Sequence, residues 1–263
     1  MSDPLFSVSD QVVLVSGGSR GIGAALAQGF AERGAKVIIT GREEQTLIDT
    51  ARTLSTGPHP VEYVVCDVAQ TDSVNEMLET VKTKAGRIDV LLNVAGVNRR
   101  KRLETLTIED VDYVLDINLR GAFWVAHGVG KQMLAQQSGG SIINIDSLNT
   151  FAPLKGVAPY AISKAGLQMM TRSMALEWGE HGIRVNALAP GFILTDLTNK
   201  LWSDPTMQAW GKTNTPLRRL GQPADLVGTA IFLASPAAQF LTGQVIYVDG
   251  GFTAGIAWPI PLD

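Results

Sequence analysis

Seven short runs of apolar and β-branched residues recur along the chain: VVLVS (12–16), KVIIT (36–40), VEYVVC (61–66), VLLNV (90–94), SIINI (141–145), RVNALA (184–189) and QVIYV (244–248). They are apolar at nearly every position. Successive side chains of a strand point to opposite faces, so such a run needs cover on both sides of its sheet. Stretches with helical character lie between the runs, at 21–33, 43–54, 73–84 and 160–180. Strand and helix in alternation imply right-handed crossovers and a doubly wound parallel sheet. The expected fold is α/β: one domain over residues 1–263, with a sheet of about seven strands and helices on both faces. A chain of 263 residues that is 45% hydrophobic can fill a core of that size.

Within this frame, Thr107-Ile-Glu-Asp110 reads as a capping box opening a helical region that runs to about Gln137. The alternation lapses only between Leu194 and Pro223, a mixed segment containing Trp202, Pro205, Trp210 and Pro216. Residues 195–222 are either a substrate lid or a pair of surface helices. The tail, 252–263, carries Trp258 and two prolines and is expected to fold over an active site, its own or a neighbour's. The single cysteine, Cys66, excludes an internal disulfide and suits a reducing compartment. The start, MSDPLFSVSDQ, has no secretory pattern, and no apolar run reaches the length of a bilayer span. The expected location is cytoplasmic, away from membranes. A net charge of −3 argues against a general nucleic-acid binder.

The loop SGGSRGIG (16–23) joins the first strand to the first helix. Gly17, Gly21 and Gly23 permit a tight turn and a close backbone approach to phosphate, and the helix start offers free N–H groups and a positive dipole end. At the front of a βαβ unit this is a Rossmann-type dinucleotide site, with Ser19, Arg20 and Ile22 between and beside the glycines. The end of the second strand bears on the adenosine ribose. An acid there accepts from both ribose hydroxyls, whereas an arginine pairs with a 2′-phosphate. Here Gly41 takes the acid's place and Arg42 follows, with Arg20 in the loop. The two cations favour NADP(H) over NAD(H). Glu43 and Glu44 are expected to point along the helix that starts there.

Tyr160 and Lys164 are four residues apart and share a helix face. A tyrosine with a pKa near ~10 is a poor base at neutral pH, and a nearby ammonium is expected to lower it. Ser147, just past the fifth strand, can hold a substrate oxygen against the tyrosine at the sheet edge where ligands bind in such folds.

The Gly-x-x-x-Gly-x-Gly spacing together with Ser147, Tyr160 and Lys164 resembles the short-chain dehydrogenase/reductase family, over roughly residues 10–252. Ser16 stands where the family usually has Thr. NVAG (93–96) resembles the family's Asn-Asn-Ala-Gly, with Val94 replacing the second Asn, and VDGG (248–251) closes the last strand in the family manner. The resemblance implies a reversible hydride transfer at the nicotinamide without a metal. Tyr160 exchanges the hydroxyl proton, Ser147 polarises the carbonyl, and Lys164 holds the nicotinamide ribose and tunes Tyr160. Asn118 supports a proton-relay water. It further implies cofactor contacts from Asn93, Ala95 and Gly96, an adenine contact at Asp67 and Val68, and a nicotinamide contact from Pro190, Gly191, Ile193 and Thr195. For Asp67, a helix-capping role stands beside the adenine contact. The three histidines, His59, His127 and His181, are scattered, and no metal ligand set is expected. Family members are usually tetramers or dimers, built through the long helices after strands four and five.

Directly after NVAG the chain runs Arg99-Arg100-Lys101-Arg102. In the sugar-acid branch, which resembles gluconate 5-dehydrogenases, a basic pair lies here and its second member contacts substrate. The match is Arg100, whose fork suits a carboxylate. A solvated loop is the alternative. So is a docking surface for an acidic carrier protein, as a 3-oxoacyl-carrier-protein reductase would need. Asn149 offers a further amide, which favours a small polar, sugar-like substrate. A non-catalytic NADP-binding sensor or scaffold would be expected to lack at least one of Asn118, Ser147, Tyr160 and Lys164, and all are present.

Overall fold

The computed structural model describes residues 3–255, so the expectation for the tail beyond Gly255 lies outside the described residues. Seven parallel strands form one sheet: β1 (Val12–Ser16), β2 (Lys36–Gly41), β3 (Glu62–Val65), β4 (Val90–Asn93), β5 (Gly140–Ile145), β6 (Ile183–Pro190) and β7 (Val245–Val248). Their spatial order is 3-2-1-4-5-6-7. Connections run outward to both sides from the β1–β4 junction, which makes that junction the switch point of the sheet, where a crevice opens at the strand C-termini.

The unbroken apolar runs sort by parity. Val13 and Val15 of β1 face one core, against helices α1 (Gly21–Ala31) and α2 (Glu44–Leu54). Val12 and Leu14 face the other, against helix α3 (Thr71–Ala85) and the long helices after β4 and β5. Coverage on both faces holds for the central strands and fails at the edge, where Glu62 and Val65 of β3 are exposed.

Thr107 does cap the next helix, α4 (Ile108–Leu115): its hydroxyl accepts from the Asp110 N–H while the Asp110 carboxylate accepts from the Thr107 N–H. The helical region does not run on as one regular α-helix. A π-helical turn, Asp116–Gly121, separates α4 from α5 (Ala122–Gln136). Gly121 is required at its end, because a Cβ there would lie 2.5 Å from the Val68 carbonyl oxygen. The chain continues through α6 (Ala158–Trp178), then α7 (Asp196–Trp202), α8 (Pro205–Asn214) and α9 (Val227–Ala234). The irregular interval holds the helix pair α7 and α8, and its Trp202 and Leu220 join Phe192 and Leu148 in a small apolar cluster. Among the described residues no helix is long and apolar enough to cross a membrane.

Candidate active site

A cavity of about 610 Å3 opens over the C-terminal ends of β1, β2, β4 and β5. Its floor is the glycine loop. Gly17 has φ +81°, and a Cβ on it would stand 2.7 Å from the backbone of Ala95. α1 then starts without a side-chain cap, so its first N–H groups face the cavity unclaimed. Thr40, at the end of β2, has a buried hydroxyl without a partner on the same wall. The donor set, the missing side chains and the elongated lining fit a dinucleotide.

The other end of the cavity is lined by Ser147, Tyr160 and Lys164. Ser147 Oγ accepts two hydrogen bonds from Asn149, from its N–H at 3.2 Å and its Nδ2 at 3.1 Å. A hydroxyl has two acceptor positions and one donor, so Ser147 is left with its O–H to donate. Lys164, only 4% exposed, donates from Nζ to the Ile145 carbonyl at 2.7 Å. Its Nζ stands 5.6 Å from the Tyr160 ring centroid. The expected lowering of the tyrosine by this ammonium is not what dominates. Burial pushes the Tyr160 phenol up to about 12, opposed by the Ser147 hydroxyl and the charge of Arg100. Burial likewise pushes Lys164 down to about 8, with Asp146 holding it up. Burial dominates both shifts because both groups are withdrawn from water.

A family model described as "Enoyl-(Acyl carrier protein) reductase" matches residues 17–253. The chain belongs to the short-chain dehydrogenase/reductase family. It is 38% identical over 257 residues to the gluconate 5-dehydrogenase of Gluconobacter oxydans, covering 97% of this chain and 100% of the relative. It is 41% identical over 248 residues to the 3-oxoacyl-[acyl-carrier-protein] reductase of Synechocystis, covering 93% and 98%. Among solved structures, the gluconate 5-dehydrogenase of Burkholderia cenocepacia in complex with NADP and tartrate matches with a TM-score of 0.93 at 37% identity, covering 96% and 99%. The protein is a short-chain dehydrogenase/reductase oxidoreductase acting on CH–OH groups, related to the gluconate 5-dehydrogenases.

In this dehydrogenase/reductase, most of the residues expected at the cofactor line the one cavity. They come from the glycine loop (Gly17, Ser19, Arg20, Gly21, Ile22, Gly23), from the ends of β2 and β3 (Arg42, Asp67, Val68), from the loop after β4 (Ala95, Gly96) and from the segment after β6 (Pro190, Gly191, Ile193, Thr195). Glu43, the residue before α2, lines it too. Asp67 does not cap α3; its carboxylate accepts from the Ala69 N–H, and Gln70 stands at the cap.

Four expected contacts lie off the cavity wall. Asn93 is 3% exposed and ties β4 to its neighbours, donating to the Ala122 carbonyl at 2.9 Å and to Asn144 Oδ1 at 3.2 Å. It braces the floor from below. Asn118 is fully buried in the π-helical turn and clamps the backbone of Val97, accepting from its N–H at 2.7 Å and donating to its carbonyl at 2.9 Å. The wider turn is what brings this side chain to the loop after β4. Asn149 turns inward: besides holding Ser147, its Oδ1 accepts from the Leu154 N–H at 2.9 Å. It positions Ser147 and has no face on the cavity. Arg100 is exposed and off the wall, yet its charge acts on Tyr160.

The basic block therefore divides. Arg99 stacks on Tyr113, 4.5 Å from the ring centroid. Lys101 pairs with Asp110, and its N–H bonds to the Gly156 carbonyl, which fixes the loop against the turn before α6. Several residues of the cavity wall escaped sequence reasoning, among them Thr46, Cys66, Asp196 and one acid beside the reactive groups. Asp146 lines the cavity, 2% exposed, immediately before Ser147. An acid ending an otherwise apolar strand was the available signal.

Proposed function

We propose that this enzyme transfers a hydride reversibly between NADP(H) and a secondary alcohol or ketone of a small sugar or sugar-acid substrate. The observation that carries the reading is the wall that Ser147, Tyr160 and Lys164 share at one end of a dinucleotide-shaped cavity. Arg100, exposed in the loop after β4, is the side chain this reading assigns to a carboxylate on a substrate whose hydroxyl or carbonyl lies between Ser147 and Tyr160. The relatives named as gluconate 5-dehydrogenases support this, as does a solved relative described with NADP and tartrate.

The glycine loop and the start of α1 hold the diphosphate, Asp67 and Val68 the adenine, and Tyr160 and Lys164 the nicotinamide ribose. When bound, the nicotinamide supplies the acceptor or donor for the hydride. Ser147 donates its O–H to the substrate oxygen. Tyr160 gives its proton to that oxygen in ketone reduction and takes it back in alcohol oxidation. A phenol near 12 is at rest a proton donor, which suits reduction, while Ser147 and Arg100 lower the cost of its anion. Asn118 fixes the backbone beside the expected relay.

Arg20 and Arg42 line the adenosine end, and neither makes an ion pair among the described residues, which supports a 2′-phosphate partner. Arg42→Asp should lower the NADP-to-NAD ratio of kcat/KM by about a hundredfold. An unchanged ratio would place the phosphate elsewhere. Helices α5 and α6 leave Phe123, Trp124, Ile162, Met169 and Leu176 exposed, which supports a homo-oligomer that covers them.

A panel of polyols, aldonates and 3-oxoacyl thioesters, run with both cofactors, tests the substrate class. Arg100→Ala should raise KM for an acid substrate about ten- to a hundredfold and leave a neutral polyol within about threefold. Equal effects on both would remove the sugar-acid reading. The second reading, a 3-oxoacyl-carrier-protein reductase, draws support from the Synechocystis relative. Against it, Arg99 and Lys101 are already engaged within the chain, which leaves less of a basic docking surface.

A further inference from the structure

Asp146 is a carboxylate the fold does not require. It follows the last residue of β5, and its side chain neither caps a helix nor joins a strand pair. Oδ2 lies 3.2 Å from Thr150 Oγ1, whose one proton it shares with the Ser147 carbonyl at 2.7 Å and which in turn lies 3.2 Å from the Tyr247 hydroxyl. Oδ1 is buried without a partner. The side chain faces the cavity that Ser147, Tyr160 and Lys164 line. Lys164 is anchored on the carbonyl of Ile145, the residue just before. That bond anchors the ammonium on the residue preceding the carboxylate, and both groups line one cavity and are nearly inaccessible to water, without a direct ion pair between them. Burying either charge alone is costly, and together they offset that cost.

We infer that Asp146 is a positioning residue of the proposed reaction: it is the counter-ion that keeps Lys164 an ammonium and, by opposing the Tyr160 phenolate, sets the pH at which the site exchanges its proton. The inference rests on the hydride-transfer reading above. The charged and titratable groups around it are few. Lys164 and Tyr160 face it from α6, and Arg100 acts on the same phenol from the loop after β4. Thr150 and the Ser147 N–H come from the turn that follows, and Tyr247 from β7 by way of Thr150. Burial raises Asp146 to about 7, with Lys164 pulling it back. As an anion it raises Lys164 and Tyr160 alike. Removing the anion must therefore lower both.

The test uses Asp146→Asn, with Asp146→Ser carrying the same measurement should the first variant fail to fold by circular dichroism. In the protein without cofactor, competitive acetylation from about pH 6 to about pH 10, quantified at the Lys164 peptide, reads the lysine directly. The Lys164 midpoint of about 8 should fall by about one unit. In the active enzyme, the rising limb of alcohol oxidation and the falling limb of ketone reduction should both move to lower pH. Reduced activity with unmoved midpoints would make Asp146 a packing residue and overturn the inference. Wild type without turnover on any substrate would remove the functional reading, and the Lys164 midpoint would still decide whether Asp146 is its counter-ion.

Discussion

Tyr160→Phe should lower kcat roughly a hundred- to ten-thousandfold, the usual range for loss of a positioned proton donor. The affinity for NADPH, read by fluorescence, should stay within about tenfold. The substitution removes one oxygen and leaves the ring, which Lys164 Nζ approaches to 5.6 Å. It makes no new contact, and the glycine loop at the other end of the cavity is untouched. Burial pushes the phenol up to about 12, so at neutral pH the hydroxyl carries no charge, and its removal should change the stability of the fold little. Loss of turnover with retained binding would set Tyr160 at the reacting oxygen. A variant that still turned over at a tenth of the wild-type rate would mean that another group, with Ser147 the nearest candidate, moves the proton. Ser147→Ala should cost less, because Ser147 donates to the oxygen without exchanging a proton with it.

The central strands were legible because both faces of the sheet are covered, and unbroken apolar runs have no other stable place in a chain of this size. The same signal misleads at the edge: β3 carries the pattern in VEYVVC, yet Val65 is 43% exposed. The π-helical turn at 116–121 was not legible. It adds no breaker residue to a continuous helical pattern, and it shows only through the packing of Gly121 on Val68. Motif spacing brought Ser147, Tyr160 and Lys164 to one wall because each sits at a strand end or helix start that the topology fixes. It erred where a side chain chooses between inward and outward partners. Asn93 and Asn149 are amides beside the site, and both commit their Nδ2 donors to the protein. Their neighbours decide this, and no spacing reports on it. Electrostatics was the least legible part. Sequence places an ammonium near a phenol, but only the enclosure of both shows that desolvation governs them.

Gly23→Ala should severely weaken cofactor binding, and the reason separates local propensity from packing. Gly23 lies within the first turn of α1, where alanine is favoured over glycine by about 1 kcal/mol in an open helix. Here an added Cβ would lie 2.0 Å from the Gly17 carbonyl oxygen and 2.9 Å from its carbon, with the Cα of Gly18 at 3.0 Å. All three are backbone atoms of the turn beneath the proposed diphosphate site, so no side chain can rotate aside. The turn or the helix must move, at a cost of about 1–3 kcal/mol that exceeds the propensity gain. The displaced N–H groups then no longer converge, and the dissociation constant for NADPH should rise at least about a hundredfold, with a Tm lowered by several degrees. Gly228→Ala in α9 is the control. A Cβ there meets nothing within 4 Å, so it should leave binding unchanged and keep or raise the Tm. If Gly23→Ala bound NADPH as wild type does while losing stability, the glycine would serve helix–turn packing alone, and the phosphates would have to be held elsewhere along the cavity.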